Sequence, residues 1–332
     1  MSDAFRHVDR DQTIVFGAGA LDAAADLIGD GYTLLSTARG AGSAPRLIGR
    51  AGAVVHVPTG PVDVVAAQIR SGVAGDRLVA LGGGRVIDVA KALAAADGPR
   101  DVVAVPTSLS GAEMTGVHRH ARGVPDTTPR VRASVVVNDP ALSASQPIEQ
   151  LAASSANALG HAITALVSER STTIARTVAA EAVGELAAGW SGDEPDRHRV
   201  ALGALLAGWA VDHSGLGPHH ALAQTVVRLT SLEHAHVNAV LLPFTVAAMR
   251  ARDRARLERL DAALGRPLEA LAEDLRGRGG VRGLGELGTD DALLERAVAA
   301  AGRRAELARV TPALERDEVL EIYRAAGRDL VS

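Results

Sequence analysis

"LVALGGGRVIDVAKALAAAD", residues 78–97, decides how the first half of the chain is read. An apolar run of strand length ends in three glycines, Gly82, Gly83 and Gly84, and a segment of helical period follows at once. Glycine permits positive φ and lets the main chain approach a neighbour with no Cβ between them. A helix starting near Arg85 presents unpaired N–H groups and a partial positive charge, which suit a pyrophosphate. The spacing is neither the two-glycine dinucleotide fingerprint nor a Walker loop, because no Gly-Lys-Ser/Thr follows. Taken alone, the stretch also fits a plain tight strand-to-helix connection. Asp88 and Lys91 lie on adjoining turns of the helix, and Lys91 is the single lysine among 35 basic residues.

Around this unit, short apolar runs alternate with helical segments. Strands are expected at 13–16, 32–36, 53–57, 77–81, 101–105 and 134–138. Strands buried on both faces and separated by helices indicate a parallel sheet in an α/β layer fold. After Pro147 the pattern becomes helix upon helix, from "QLAASSANALGHAITALVSE" onward, with no convincing strand. The Gly-rich segment 275–288 reads as a loop. Two domains follow: residues 1–148, a Rossmann-like α/β domain for a dinucleotide, and residues 149–332, an all-α domain for metal and substrate.

Composition narrows the function classes. Of 332 residues, 47% are hydrophobic, enough for a large core. A formal net charge of -4 gives no basic field, so nucleic acid is not an expected partner. The absence of cysteine removes disulfides, thiolate metal sites and cysteine nucleophiles. The N-terminus is charged and lacks a signal-peptide core, and no apolar stretch is long enough to span a bilayer. A cytoplasmic protein is expected.

The glycine segment resembles the "GGGSxxDxAK" signature of the iron-dependent alcohol dehydrogenase superfamily. Gly82, Gly83, Gly84, Asp88, Ala90 and Lys91 match it, and Arg85 replaces the usual serine. "VVAVPTSLSGAEMT" (102–115) is similar to the loop of the maleylacetate reductase-like branch, as is "IVFGAGALD" (14–22). The resemblance implies a dehydroquinate synthase-like fold with a cleft between its domains. It also implies NAD(P)H as cofactor, with Thr107, Ser108, Ser110 and Thr115 placing hydroxyls near it. Family members are often dimers or larger assemblies, so a homo-oligomer is expected. Lys91 is expected to reach over the glycine turn toward the cofactor. After the second expected strand, "LLSTARG" (34–40) lacks the carboxylate that NAD-specific members use. Ser36, Thr37 and Arg39 are instead placed to hold a 2′-phosphate, so NADP(H) should be accepted at least as well as NAD(H).

In the helical half, Asn157 and His161 are four residues apart, hence on one helix face. "GPHHALAQ" adds His219 and His220, and "LEHAHVNAVLLP" adds His234 and His236. A histidine on an alanine-rich helix is commonly just packed. Three segments each offering one could instead converge as an N/O site for zinc or ferrous iron. By resemblance, the ligand positions fall on Asn157, His161, His220 and His234, for Fe2+ or Zn2+. Asn157 stands where metal-dependent members have Asp, and Gln224 where most have a further histidine. Glutamine cannot relay protons, which leaves His219, His118 or His236 for that route.

The expected activity is hydride transfer between a nicotinamide and a small carbonyl or alcohol, with His161, His219, His220 and His234 as catalytic candidates. A dianionic substrate would need cations, for which Arg85, His118 and Arg119 are candidates. A dehydrogenase tailoring a specialised metabolite is an alternative within this class. A lyase or cyclase of the dehydroquinate synthase type is a second class, and Asn157 speaks against it. A non-catalytic descendant of an enzyme is a third.

Overall fold

The computed structural model describes residues 4–327 apart from Ser145, Ser231 and Arg282. The chain divides into two compact units, residues 1–146 and 147–332.

The first unit runs β1 (Phe5–Asp9), β2 (Gln12–Phe16), α1 (Ala20–Ala23), α2 (Ala25–Ile28), β3 (Thr33–Ser36), α3 (Ala38–Ala41), α4 (Pro45–Arg50), β4 (Ala53–His56) and α5 (Val62–Ile69). It continues with β5 (Arg77–Gly82), α6 (Gly84–Asp97), β6 (Asp101–Pro106) and β7 (Val135–Asn138). Six of these strands sit where the apolar runs place them; β1 is the addition. Its burial pattern, mostly exposed, gave no apolar signal, and it pairs antiparallel with β2 through Arg10 and Asp11 at the sheet edge. The sheet order is β1-β2-β7-β6-β5-β3-β4, parallel except for β1. Val79, Leu81, Val103, Val105 and Val137 are buried in one core with Ile28, Tyr32 and Leu34, which explains the unbroken apolar character of the central strands.

Strand order reverses between β3 and β5, since β3 leads outward to β4 while β5 leads to β6 on its other side. In open parallel sheets a ligand crevice lies at the carboxyl ends of such a pair. The register aligns Ser36 with Leu81 and Gly82 with Pro106. Residues 36–39, 82–85 and 107–115 therefore leave the sheet side by side.

The second unit is built from α7 (Ile148–Val167), α8 (Thr173–Gly189), α9 (Arg197–Ser214), α10 (Pro218–Leu229), α11 (His234–Arg250), α12 (Arg254–Leu264), α13 (Leu268–Arg278), α14 (Asp291–Ala301) and α15 (Arg316–Gly327). α7 is buried almost all round and packs against α8, α9, α11 and α13. Its run of Ala, Ser and Gly lets those helices come close, and a helix apolar on every side belongs inside. The expected loop at 275–288 begins later than its glycines imply, because α13 continues to Arg278. Leu271, Ala272 and Leu275 supply the buried face that holds the helix together there.

Candidate active site

Gly82, Gly83 and Gly84 form the turn from β5 into α6, but none has positive φ. Close approach, not handedness, requires them. An added Cβ on Gly82 would meet Val86 Cγ2 at 2.7 Å, one on Gly83 would meet Ser108 Oγ at 2.9 Å, and one on Gly84 would meet Ser110 Cβ at 2.9 Å. The segment 107–115 thus lies directly against the turn, with Thr107 donating its N–H to the Gly82 carbonyl at 3.0 Å. Gly83 caps α6 without a side-chain hydrogen bond, so the first N–H groups of the helix keep their donors. Thr107, Ser108 and Ser110 are partly exposed beside it, Arg85 is exposed, and Thr115 is buried. A bare turn, an uncapped helix start and a rim of hydroxyls fit the diphosphate of a dinucleotide.

Lys91 does not reach over the turn. Its side chain is 0% exposed, and Nζ donates to the carbonyls of Ala112, Thr115 and Val117 at 2.8, 3.1 and 3.0 Å. Asp88 Oδ1 lies 2.8 Å from the same ammonium. The three donors of one lysine are therefore spent on the loop that packs against the glycines, and Lys91 is corrected from a cofactor ligand to the residue that fixes this loop. Arginine's planar fork cannot match that arrangement. Burial pushes the Glu113 carboxyl in the same loop up to about 7.

Ser36 also needs correction. Its buried hydroxyl donates to the Leu81 carbonyl at 2.7 Å, stitching β3 to β5. Thr37 accepts from the Gly40 N–H at 2.9 Å and caps α3. Arg39 is exposed in α3.

In the second unit, α7 brings Asn157 and His161 to one face, α10 starts with His219 and His220, and α11 starts with His234. The rings of His161 and His220 stack at 4.1 Å between centroids, 10° from parallel. His219 stands edge-on to His220 at 5.2 Å, and His234 lies 6.5 Å from His220 at the exposed end of the group. His220 Nε2 is 3.0 Å from Asn157 Oδ1, and His219 Nδ1 is 2.8 Å from Thr245 Oγ1. The Thr245 hydroxyl sits 2.9 Å from the Leu242 carbonyl and donates there, so the His219 contact is a donation from Nδ1–H. The other ring nitrogen, Nε2, is buried, and Asn238 lies beside the ring. His161 Nδ1 and His220 Nδ1 are buried without a hydrogen-bond partner among the described residues.

Gly160 and Thr245 were missed in the sequence reading. A Cβ on Gly160 would lie 2.4 Å from His219 Cδ2, so this helix-interior glycine is the space in which the ring sits. The signal was present, since a glycine inside a helix beside a histidine asks for a packing reason.

Of the proposed ligand set, Asn157, His161, His220 and His234, the first three are in direct contact and His234 lies at the exposed end of the group. Among the described residues no group of three or more His, Cys, Asp or Glu side chains is arranged to hold a metal ion. Asn157 brings none of the charge of the Asp it replaces. His118 uses Nδ1 on the Arg119 carbonyl and Nε2 on the Val131 N–H, and His236 pairs with Glu233. Arg119 pairs with Asp63.

Burial drives His161 and His219 down to about 3, His118 to about 4, and His220 well below the usual imidazole range. These four rings stay neutral in the fold yet protonate near pH 6.5 when unfolded. Stability is therefore full above about pH 6.5 and falls as pH drops toward the folded values, by roughly 1.4 kcal/mol per unit per group. Glu113, raised in the fold, opposes this with one proton between about 4.5 and 7. The net expectation is a loss of stability as pH falls from about 6.5 toward 5. Urea unfolding at pH 7, 6 and 5 checks it, and a midpoint constant across that range would contradict it.

Residues 151–327, just over half of the chain, match the model of the Fe-containing alcohol dehydrogenase family, C-terminal. Maleylacetate reductase 2 of Cupriavidus pinatubonensis is 38% identical over 225 residues, which cover 65% of this chain and 62% of that protein. This chain thus spans less than two thirds of that relative's length. Maleylacetate reductase of Sphingobium indicum is 33% identical over 299 residues, 83% of this chain and 84% of that protein. The crystal structure of maleylacetate reductase from Agrobacterium tumefaciens superposes with a TM-score of 0.82 at 26% identity, covering 98% of this chain and 99% of that one. With its parallel sheet, its helical second unit and these matches, the chain belongs to the Fe-containing alcohol dehydrogenase family.

Proposed function

We propose that this protein is an NAD(P)H-dependent reductase of a small carbonyl compound, close to the maleylacetate reductases. The observation that carries the reading is the pairing of two features in one chain. One is a glycine turn sealed by a hydroxyl loop at the sheet's reversal point. The other is a buried group of neutral imidazoles with bare ring nitrogens.

A nicotinamide coenzyme, when bound, supplies the hydride that turns a carbonyl carbon into an alcohol carbon. As the C–H bond forms, the carbonyl π pair moves to oxygen, and that oxygen must be met by a proton or hydrogen-bond donor. His161 has neither tautomer fixed by a protein partner, so its N–H is free to donate to the developing alkoxide. His220, tied to Asn157 and stacked on His161, holds that ring in place. His234, exposed at the start of α11, supplies the connection to solvent through which the proton is replaced. His219, whose N–H is committed to Thr245, offers an acceptor that orients the substrate. In the first unit, the α6 N-terminus, Ser108 and Ser110 hold the diphosphate, and Arg39 receives the 2′-phosphate.

NADPH should accordingly be used at least as well as NADH. Absorbance at the reduced-nicotinamide wavelength with maleylacetate and a panel of aldehydes and keto acids tests both statements. Substrate-dependent oxidation of NADPH supports them. A kcat/KM for NADH more than about tenfold above that for NADPH would overturn the assignment of Arg39.

A further inference from the structure

We propose that Glu113 is a positioning residue that holds the loop 107–115 against the glycine turn in its neutral, protonated form and releases it on ionising. The consequence for dinucleotide binding rests on the cofactor reading above; the state of the loop does not.

Glu113 lies three residues after Ser110, in the segment that fills the space beside Gly83 and Gly84. It is 1% exposed, and its Oε2 is buried with no hydrogen-bond partner among the described residues. Gln12, buried at the start of β2, donates its Nε2 to the main-chain carbonyls of Glu113 and Ala133 at 3.1 and 2.9 Å. The Gln12 Oε1 is also buried without a donor among the described residues. Two unfilled acceptors thus stand on two residues that a hydrogen bond already joins. A carboxylate adds only acceptors to such a place, whereas a protonated carboxyl brings one O–H donor. A negative charge here would leave Oε2 out of water and without a donor, the costliest form of an unmade bond.

The surrounding charges do not rescue the ionised form. Those that bear on Glu113 are Lys91 and Asp88, both on α6. The Lys91 Nζ lies 2.8 Å from Asp88 Oδ1 and donates to the carbonyls of Ala112, Thr115 and Val117. One ammonium therefore serves two carboxyls, both of which burial raises. Asp88 has the direct contact and 27% of its side chain exposed, so Asp88 takes the charge and Glu113 the proton. On the strand side, Arg132 is committed to the Met114 carbonyl through Nε and to Asp9 of β1 through Nη2. The loop is thus held from α6 by Lys91 and from β2 by Gln12. Ionisation of Glu113 adds an uncompensated charge between the two and sets it against Asp88.

Hydrogen exchange and cofactor binding on the full chain decide it. Protection of the amides of residues 107–115, taken relative to their intrinsic rates, should fall at least about fivefold from pH 6 to pH 8.5 in wild type. That range spans the value of about 7 to which burial pushes this carboxyl. In Glu113→Gln, whose amide keeps a donor and cannot ionise, protection should change by less than about twofold. NAD+ is the binding probe, because it lacks the titrating 2′-phosphate of NADP+. Its Kd should rise at least about fivefold over the same range in wild type and stay within about twofold in the variant. Protection that is constant with pH in wild type, or that changes equally in Glu113→Gln, overturns the proposal. Should Glu113→Gln not fold, Gln12→Met takes its place: without that acceptor the loop should lose protection at lower pH, and an unchanged midpoint overturns the proposal. A pH-dependent loop beside a constant NAD+ affinity overturns the link to binding. If wild type binds no NAD+ at either pH, the cofactor reading fails, and exchange still decides Glu113.

Discussion

Changing Lys91 to methionine is expected to lower the unfolding free energy by about 3 kcal/mol. Removing one partner of a buried ion pair costs about 3–5 kcal/mol, because the other charge is left without compensation. Asp88 keeps about a quarter of its side chain in contact with water, which places the effect at the lower end. The carbonyls of Ala112, Thr115 and Val117 lose their donor at the same time. The loop that seals the glycine turn should loosen with them, so NADPH affinity should drop by roughly tenfold. Urea unfolding of Lys91→Met, Asp88→Asn and the double variant measures the coupling. A loss under about 1 kcal/mol in the single lysine variant would mean that the loop is held by something else.

The second large effect concerns Gly160→Ala. In a bare helix this change adds about 1 kcal/mol of stability. Here the new methyl meets His219 at 2.4 Å, and the ring is tethered by its bond to Thr245, so it cannot swing aside and keep that bond. Overpacking of this kind costs about 1–3 kcal/mol, which outweighs the helix gain. The larger consequence is for catalysis, because a displacement near 1 Å of a site group costs about 100-fold in rate. A folded variant, confirmed by far-ultraviolet circular dichroism, should show kcat reduced by about that factor. A kcat within threefold of wild type would remove His219 from the site.

The parts of this molecule that the sequence made legible are those written in periodicity. Runs such as "RLVAL" and "DVVAV" are apolar without a break because helices cover both faces of the sheet, and their strands lie where the runs lie. The edge strand Phe5–Asp9 escaped because an exposed strand has no apolar signature. Burial and direction were less legible. Nothing in "DVAKAL" says that the lysine turns inward to three carbonyls, and nothing in "STARG" says that Ser36 is consumed by the sheet. The histidines could be grouped by spacing, but stacking of His161 on His220, and the bond of His219 to Thr245, arise from contacts across 26 to 59 residues.

The central claim is that the buried ring of His161 meets the oxygen of the carbonyl being reduced. It is tested most directly by assaying NADPH oxidation with maleylacetate in wild type and His161→Ala, with NADPH affinity measured on the same samples. The account predicts kcat lower by at least about 100-fold in the variant, with NADPH Kd within about twofold. A kcat within threefold of wild type would contradict it.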